Sequence, residues 1–179
     1  MIERGNSLDR KYVASSNEAI AKRVTELNVF QAARSVFIYV SRGFEPDTGQ
    51  LIRTASDSGK KIFVPFITGR GTMCAKYIDG FFTLEQGRFG IPTAPSDAPE
   101  ARIDDIDLAL IPCVSATRQG VRLGYGGGYY DRFFAGDRGK TAAYVLCREQ
   151  MLSEKLPKDD HDVVFDGIIT EKNIYFVDM

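Results

Sequence analysis

One histidine, His161, serves the whole chain of 179 residues. No Cys or Ser stands with it in a recognisable nucleophile motif, which argues against triad hydrolysis and histidine-rich transition-metal sites. Within PKDDHDVVFD it reads as a surface-loop residue. The cysteines Cys74, Cys113 and Cys147 are odd in number and form no CxxC pair. Neither a disulfide framework nor a zinc site is suggested, and the chain fits a reducing cytosol. No apolar run approaches the roughly 20 residues of a membrane span, and the opening MIERGNSLDRKY is too polar for a signal peptide. A soluble, cytoplasmic protein is expected. Neither sign of charge dominates: 23 Lys and Arg face 24 Asp and Glu, for a net charge of −1. A general nucleic-acid or membrane-surface binder would carry a strongly basic face, so the expected partner is a small molecule. Internal repeats, low-complexity segments and linkers are absent, so residues 1–179 read as one domain, and 44% hydrophobic content suffices for a core.

What the chain does have is the run RLGYGGGYYDR, Arg122 to Arg132, with four glycines, three tyrosines, an aspartate and two arginines. Glycine serves where the backbone needs φ > 0 or must approach another group, and Gly124, Gly126, Gly127 and Gly128 leave amide N–H groups bare. Amides turned toward one point make an anion nest. The run follows a buried-strand pattern, DLALIP (107–112), and leads into YYDRFFA, which reads as the first turns of a helix. A glycine-rich loop between a strand and a helix commonly holds a phosphate. The pattern GxxxxGK[ST] is absent and GxGxxG is only approximated. A glycine hairpin tip covering a core edge would not need Arg122, Asp131 and Arg132 beside it.

The remaining pattern alternates strands and helices. SSNEAIAKRVTEL predicts an amphipathic helix from Ser15, with Ser15 and Glu18 spaced as a capping box and Ile20, Val24 and Leu27 on one face. SVFIYVS (35–41) predicts a strand, followed by a helix from about Asp47 or Thr48 to Gly59. KIFVPF (61–66), MCAKYI (73–78), TAAYVLC (141–147), DVVFDGIIT (162–170) and NIYFVD (173–178) predict further strands, with a helical piece near 149–156. The Pro-rich segment 90–103 is expected to be a mobile loop. The fold class is therefore α/β, a mostly parallel sheet covered by helices on both faces. Asp131 and Asp162 could supply oxygens to Mg²⁺, which takes one or two carboxylates together with waters and substrate phosphates.

RLGYGGGYYDRFF, together with LPKDDHDVVFDGIITE some thirty positions later, resembles the signature of 5-formyltetrahydrofolate cyclo-ligases. FIYVSRGFEPDT, GKKIFVPF and GRFGIP extend the resemblance over residues 15 to 172. It implies conversion of 5-formyltetrahydrofolate to 5,10-methenyltetrahydrofolate with ATP as co-substrate and Mg²⁺. It also implies that Arg122, Leu123, Gly124, Tyr125, Gly126, Gly127, Gly128, Tyr129 and Tyr130 line the ATP phosphates. The stretch Tyr125 to Tyr129 would also face the folate, with Arg122 and Tyr130 as catalytic residues. Asp131 and Asp162 would hold Mg²⁺, Glu45 would bond the pterin or its formylated centre, and Val40 would form an apolar wall. A carboxylate at Glu45 suits the donor-rich edge of a pterin.

The chain departs from the family pattern at its start. The family's opening helix carries a Lys and a Leu-Arg whose basic residues contact ATP, and it has no counterpart here. Arg10 and Lys11 fall in the segment expected to be the loop after that helix. Ala116 and Thr117 stand where Phe-Asp is usual, and Thr93 and Ala94 where a single Glu or Gln is usual. Two other readings stay open: a folate- or nucleotide-binding relative without turnover, and, on fold analogy alone, a sugar-phosphate isomerase. Lys60, Lys61 and Lys76 could meet a polyanionic tail, though lysines so spaced are ordinarily solvated. A monomer or weak homodimer is expected.

Overall fold

The computed structural model describes residues 1–177 except Asp137, Lys158, Asp160 and His161. His161 and the last residue of the strand pattern 173–178 thus lie outside the described residues. Among the described residues the α-helices are α1 (Ile2–Asn6), α2 (Arg10–Thr25), α3 (Asn28–Ala32), α4 (Gly49–Asp57) and α5 (Tyr129–Phe133). The strands are β1 (Ser35–Ile38), β2 (Lys61–Gly69), β3 (Thr72–Ile78), β4 (Glu85–Gln86), β5 (Pro92–Thr93) and β6 (Glu100–Ala101). They continue with β7 (Leu108–Ile111), β8 (Ser115–Ala116), β9 (Arg122–Leu123), β10 (Ala142–Leu146), β11 (Gly167–Ile169) and β12 (Ile174–Phe176).

Eight strands make one sheet in the order β12-β11-β10-β7-β1-β2-β3-β6. The five central strands, from β11 to β2, pair in parallel, while β12, β3 and β6 add antiparallel edges. The parallel strands are apolar along their length because both faces are covered: β1 and β7 are buried at every position. On one face Val36, Ile38, Leu108 and Leu110 meet Ile20 and Val24 of α2 and Leu51, Ile52 and Ala55 of α4. On the other, Phe37, Ala109, Ile111 and Val145 meet Phe133 and Phe134, with Phe165 and Ile106 from irregular segments. The short helix α5 supplies helical cover there, and Phe37 stacks on Phe133 at 5.4 Å between ring centroids.

Several sequence-based boundaries are corrected. The first long helix begins at Arg10, not Ser15, because the Asp9 side chain already accepts from the N–H groups of Lys11 and Tyr12. Ser15 and Ser16 are interior residues whose hydroxyls donate back to the carbonyls of Tyr12 and Val13. Arg10 and Lys11 therefore open a helix and do not lie in a loop. The segment 162–170 contributes only Gly167–Ile169 to the sheet, and the helical piece near 149–156 is one 3-10 turn, Glu149–Met151. The strand from Ser35 stops at Ile38, after which Tyr39 and Thr48 join through a 2.6 Å bond from the Thr48 hydroxyl to the Tyr39 carbonyl. The segment 90–103 is tied to the sheet edge: Tyr77 N–H donates to the Pro99 carbonyl at 2.8 Å, and buried Lys76 donates to the Ser96 carbonyl. Lys76 is thus a structural group, not a solvated one.

Candidate functional site

The C-terminal ends of β1, β7 and β10 point at one side of the sheet, the side where open α/β sheets place ligands. A cleft of about 1860 Å³ opens there. Arg122 through Asp131, Val40, Glu45 and Asp162 all line it, so the residues singled out from the sequence come together. The opposite wall, from β2, β3 and the β4–β5 hairpin, brings Phe66, Arg70, Arg88 and Phe89. Thr93 and Ala94 belong to that wall too, and Thr93 donates to the Pro65 carbonyl at 2.8 Å.

The glycine loop does not run directly from β7. The chain first makes the β8–β9 hairpin, in which Ser115 pairs with Leu123 and Ala116 with Arg122. Ala116 is fully buried. From β9 the loop crosses the cleft to α5, whose N-terminal cap Gly128 has φ +63°, as the left-handed cap conformation demands. Gly126 at φ +82° is the second such position, and a Cβ there would meet no atom within 4 Å. Its glycine is required by conformation and not by crowding.

Two arginines hold the loop. Arg122, 8% exposed, donates to the Asp131 carboxylate at 2.8 Å and to the Pro112 carbonyl at 3.3 Å. It lies over the rings of Tyr130 and Phe165 at 5.4 and 5.9 Å. Its Nε is buried with no hydrogen-bond partner among the described residues. Arg132 donates to the Gly71 carbonyl at 2.6 Å and to that of Gly127, so the β2–β3 turn and the loop are tied together.

Glu45 sits on the turn between β1 and α4, 6% exposed. Its carboxylate accepts from the Arg42 N–H at 2.7 Å. Burial pushes its pKa up to about 7, against the opposing pull of that N–H and of the Tyr125 hydroxyl. Near neutral pH Glu45 is thus poised between acceptor and donor. Tyr125 is in turn pushed up to about 12 by burial and by Glu45, and the Arg42 guanidinium stands 5.4 Å over its ring. Burial also raises Tyr130 far enough that its hydroxyl stays protonated and serves as a donor.

Carboxylates suited to a divalent cation are Asp131 and Asp162. No cluster of three or more His, Cys, Asp or Glu capable of holding a metal occurs among the described residues. That is no obstacle for Mg²⁺, which completes its octahedron with water and phosphate oxygens. One oxygen of Asp131 is engaged by Arg122 and one of Asp162 by the Asp159 N–H at 2.8 Å. Each carboxylate keeps a second oxygen, so the residues present fit the ion.

The sequence reading missed Arg148. It follows β10 and is 1% exposed. It donates to the carbonyls of Phe44 (2.9 Å), Glu45 (3.1 Å) and Val13 (3.2 Å), to Asn17 Oδ1 (2.7 Å) and to Ser16 Oγ. This buried cation fixes the Glu45 turn against α2. The signal available was an arginine directly after a fully apolar strand, VLCR. Arg132 as the tie between loop and turn left no such signal.

Comparison with known proteins follows the same lines. A model described as the 5-formyltetrahydrofolate cyclo-ligase family matches residues 1–171. The 5-formyltetrahydrofolate cyclo-ligase of Mycolicibacterium smegmatis is 28% identical over 148 residues, covering 79% of this chain and 75% of that protein. The Escherichia coli K12 protein of the same name is 26% identical over 147 residues, 80% of this chain and 81% of its own. Among solved structures, Aquifex aeolicus 5,10-methenyltetrahydrofolate synthetase superposes with a TM-score of 0.87 at 25% identity, covering 99% of this chain and 89% of that one. A Mycoplasma pneumoniae 5,10-methenyltetrahydrofolate synthetase, at 16% identity and a TM-score of 0.77, covers 95% of this chain and 93% of its own and shares the fold.

Proposed function

This chain belongs to the 5-formyltetrahydrofolate cyclo-ligase family, and from that premise we propose that it converts 5-formyltetrahydrofolate to 5,10-methenyltetrahydrofolate at the expense of ATP, with Mg²⁺, in one domain spanning residues 1–179. The observation that carries the reading is a single cleft uniting a glycine loop, a buried glutamate and two aspartates. The chemistry explains the need for ATP. The N5-formyl group is an amide, and ring closure by N10 must expel its oxygen, a poor leaving group. Transfer of the γ-phosphoryl to that oxygen makes it a leaving group. N10 then attacks the iminium-like carbon and phosphate departs.

Phosphoryl transfer of this kind depends on positioning and charge stabilisation. Arg122 through Tyr130, which line the cleft, would cradle the triphosphate with the loop amides as donors. Tyr130, its hydroxyl kept protonated, would donate to the reacting oxygens. Glu45, ionised on meeting the N–H donors of the pterin, would orient the folate, with Val40 as part of the apolar wall. Asp131 and Asp162 would hold Mg²⁺, which supplies positive charge to the phosphates. The cleft also carries Arg42, Arg70, Arg88 and Arg132 as further cations.

The test is to mix the purified chain with 5-formyltetrahydrofolate, Mg²⁺ and ATP and follow the absorbance of the methenyl product against a control without ATP. Product that depends on ATP is expected. Retention of folate with no product and no ADP would replace the enzyme by a binding protein.

A further inference from the structure

Cys113 and Cys147 stand at the ends of neighbouring parallel strands. Tyr144 of β10 lies opposite Leu110 of β7, and Val145 opposite Ile111. Two residues further on, the same register brings Cys147 opposite Cys113. Period-two alternation puts both side chains on the face of Val145 and Ile111, and all four belong to one apolar cluster. Adjacent strands lie about 4.8 Å apart, within the range of about 4.4–6.8 Å between Cα atoms that a disulfide spans. The Cys113 thiol is the largest influence on the Cys147 thiol, as a sulfur beside it on the neighbouring strand would be. Each thiol also lies 3.4 Å from a strand-end carbonyl, Cys113 from that of Leu146 and Cys147 from that of Arg148. All three cysteines are free.

The two thiols differ in access. Cys113 lines the cleft, whereas Cys147 is 1% exposed and lies behind it. The neighbouring Cys113 thiol and burial raise the Cys147 thiol well above its ordinary range. A small oxidant entering the cleft therefore meets Cys113 first, with a partner sulfur waiting beside it. Cys74, on β3, has no such neighbour and provides an internal control.

We propose that Cys113 and Cys147 form an oxidation site on the floor of the cleft, which a hydroperoxide converts to an intramolecular disulfide while the cleft is empty. The Cys113 sulfur, as thiolate, attacks one oxygen of hydrogen peroxide. The O–O bond breaks, and the departing hydroxide takes up a proton to become water, leaving Cys113 as a sulfenic acid. The Cys147 sulfur then attacks the Cys113 sulfur, the S–O bond breaks, and the thiol proton leaves with the hydroxyl as a second water. Two thiols are oxidised by two electrons and one peroxide is reduced. The new bond ties the segment entering the β8–β9 hairpin, which carries the glycine loop, to the residue before Arg148, which grips the Glu45 turn. Shielding by bound ATP and 5-formyltetrahydrofolate rests on the proposed function; the disulfide itself does not.

The experiment treats the full chain with hydrogen peroxide, blocks remaining thiols with N-ethylmaleimide under denaturing conditions, and reads intact mass and peptide map. The expected product has lost two hydrogens, carries a Cys113–Cys147 linked peptide and one alkylated thiol at Cys74, and reverts with dithiothreitol. Cys113→Ser and Cys147→Ser each abolish the linked peptide; should either fail to fold, the map of the native sequence decides alone. With both ligands at ten times their Kd and bound independently, the empty cleft falls to about one part in 120, so disulfide formation slows about a hundredfold. Absence of the linked peptide, or oxidation confined to Cys74, overturns the proposal. So does a disulfide forming at an unchanged rate when equilibrium dialysis shows the ligands bound. Dialysis that finds no binding of either ligand defeats the functional reading instead and leaves the peptide map to judge the dithiol.

Discussion

The Arg122 guanidinium and the Asp131 carboxylate meet at 2.8 Å and pin the two ends of the glycine loop to one another. Only one end of this pair is solvated: the side chains are 5% and 21% exposed. Asp131→Asn removes the charge and keeps the shape, leaving Arg122 buried with a weaker partner. The expected loss of stability is about 1–3 kcal/mol, read by denaturant unfolding, together with loss of the Mg²⁺-dependent part of ATP binding. An unchanged unfolding midpoint would show that the pair does not hold the loop.

Glu45 predicts a pH-dependent stability. Its folded pKa of about 7 lies above the ordinary 4.5 because burial disfavours the charge. The folded state therefore binds the extra proton between those values. The stability associated with it is complete below about pH 4.5 and is lost as pH rises through 7. Glu45→Gln, neutral at every pH, should match the native chain near pH 4.5 and exceed it at pH 8 by up to about 3 kcal/mol, while weakening folate binding. Equal stabilities of the two proteins at both pH values would defeat this account.

Gly126 and Gly128 separate two causes of loop sensitivity. Gly126→Ala is strained by its φ of +82° alone, a cost of about 1–2 kcal/mol. Gly128→Ala adds a collision, since its Cβ would come 2.7 Å from the Arg132 guanidinium. The second variant should melt lower than the first and lose more ATP affinity, because Arg132 must release Gly71 or Gly127. Thermal unfolding of the pair, side by side, checks the order.

Arg148 predicts a specific failure of folate binding. Arg148→Lys keeps the charge but cannot reach Phe44, Glu45, Val13, Ser16 and Asn17 together. A stability loss of roughly 3 kcal/mol is expected, with KM for 5-formyltetrahydrofolate rising and KM for ATP unchanged. Equal rises in both constants would mean that Arg148 serves only the fold.

Much of the site could be read from the linear chain because its chemistry is local. The glycines, tyrosines and flanking charges of 122–132 are contiguous, and a contiguous loop needs no tertiary contact to reveal its backbone needs. The same holds for the central strands, whose unbroken apolar runs report burial on both faces. Boundaries were less legible: Asp9 outranks Ser15 as a cap because either residue could start a helix, and packing of Ile20 and Val24 does not choose between them.

Tertiary structure alone decided which distant residues meet. Resemblance singles out Glu45 in the sequence, but nothing in the linear chain shows that it is buried. Its desolvation in the turn that Arg148 grips from the end of β10 makes it a group balanced near neutral pH. Arg132 reaching Gly71 and Cys147 facing Cys113 likewise follow from strand order and register, which bring segments 61 and 34 residues apart together. The sequence determined the local conformations and the kinds of chemistry available. The distances and desolvation that tune that chemistry arise only when the parallel strands align and their C-terminal ends share one cleft.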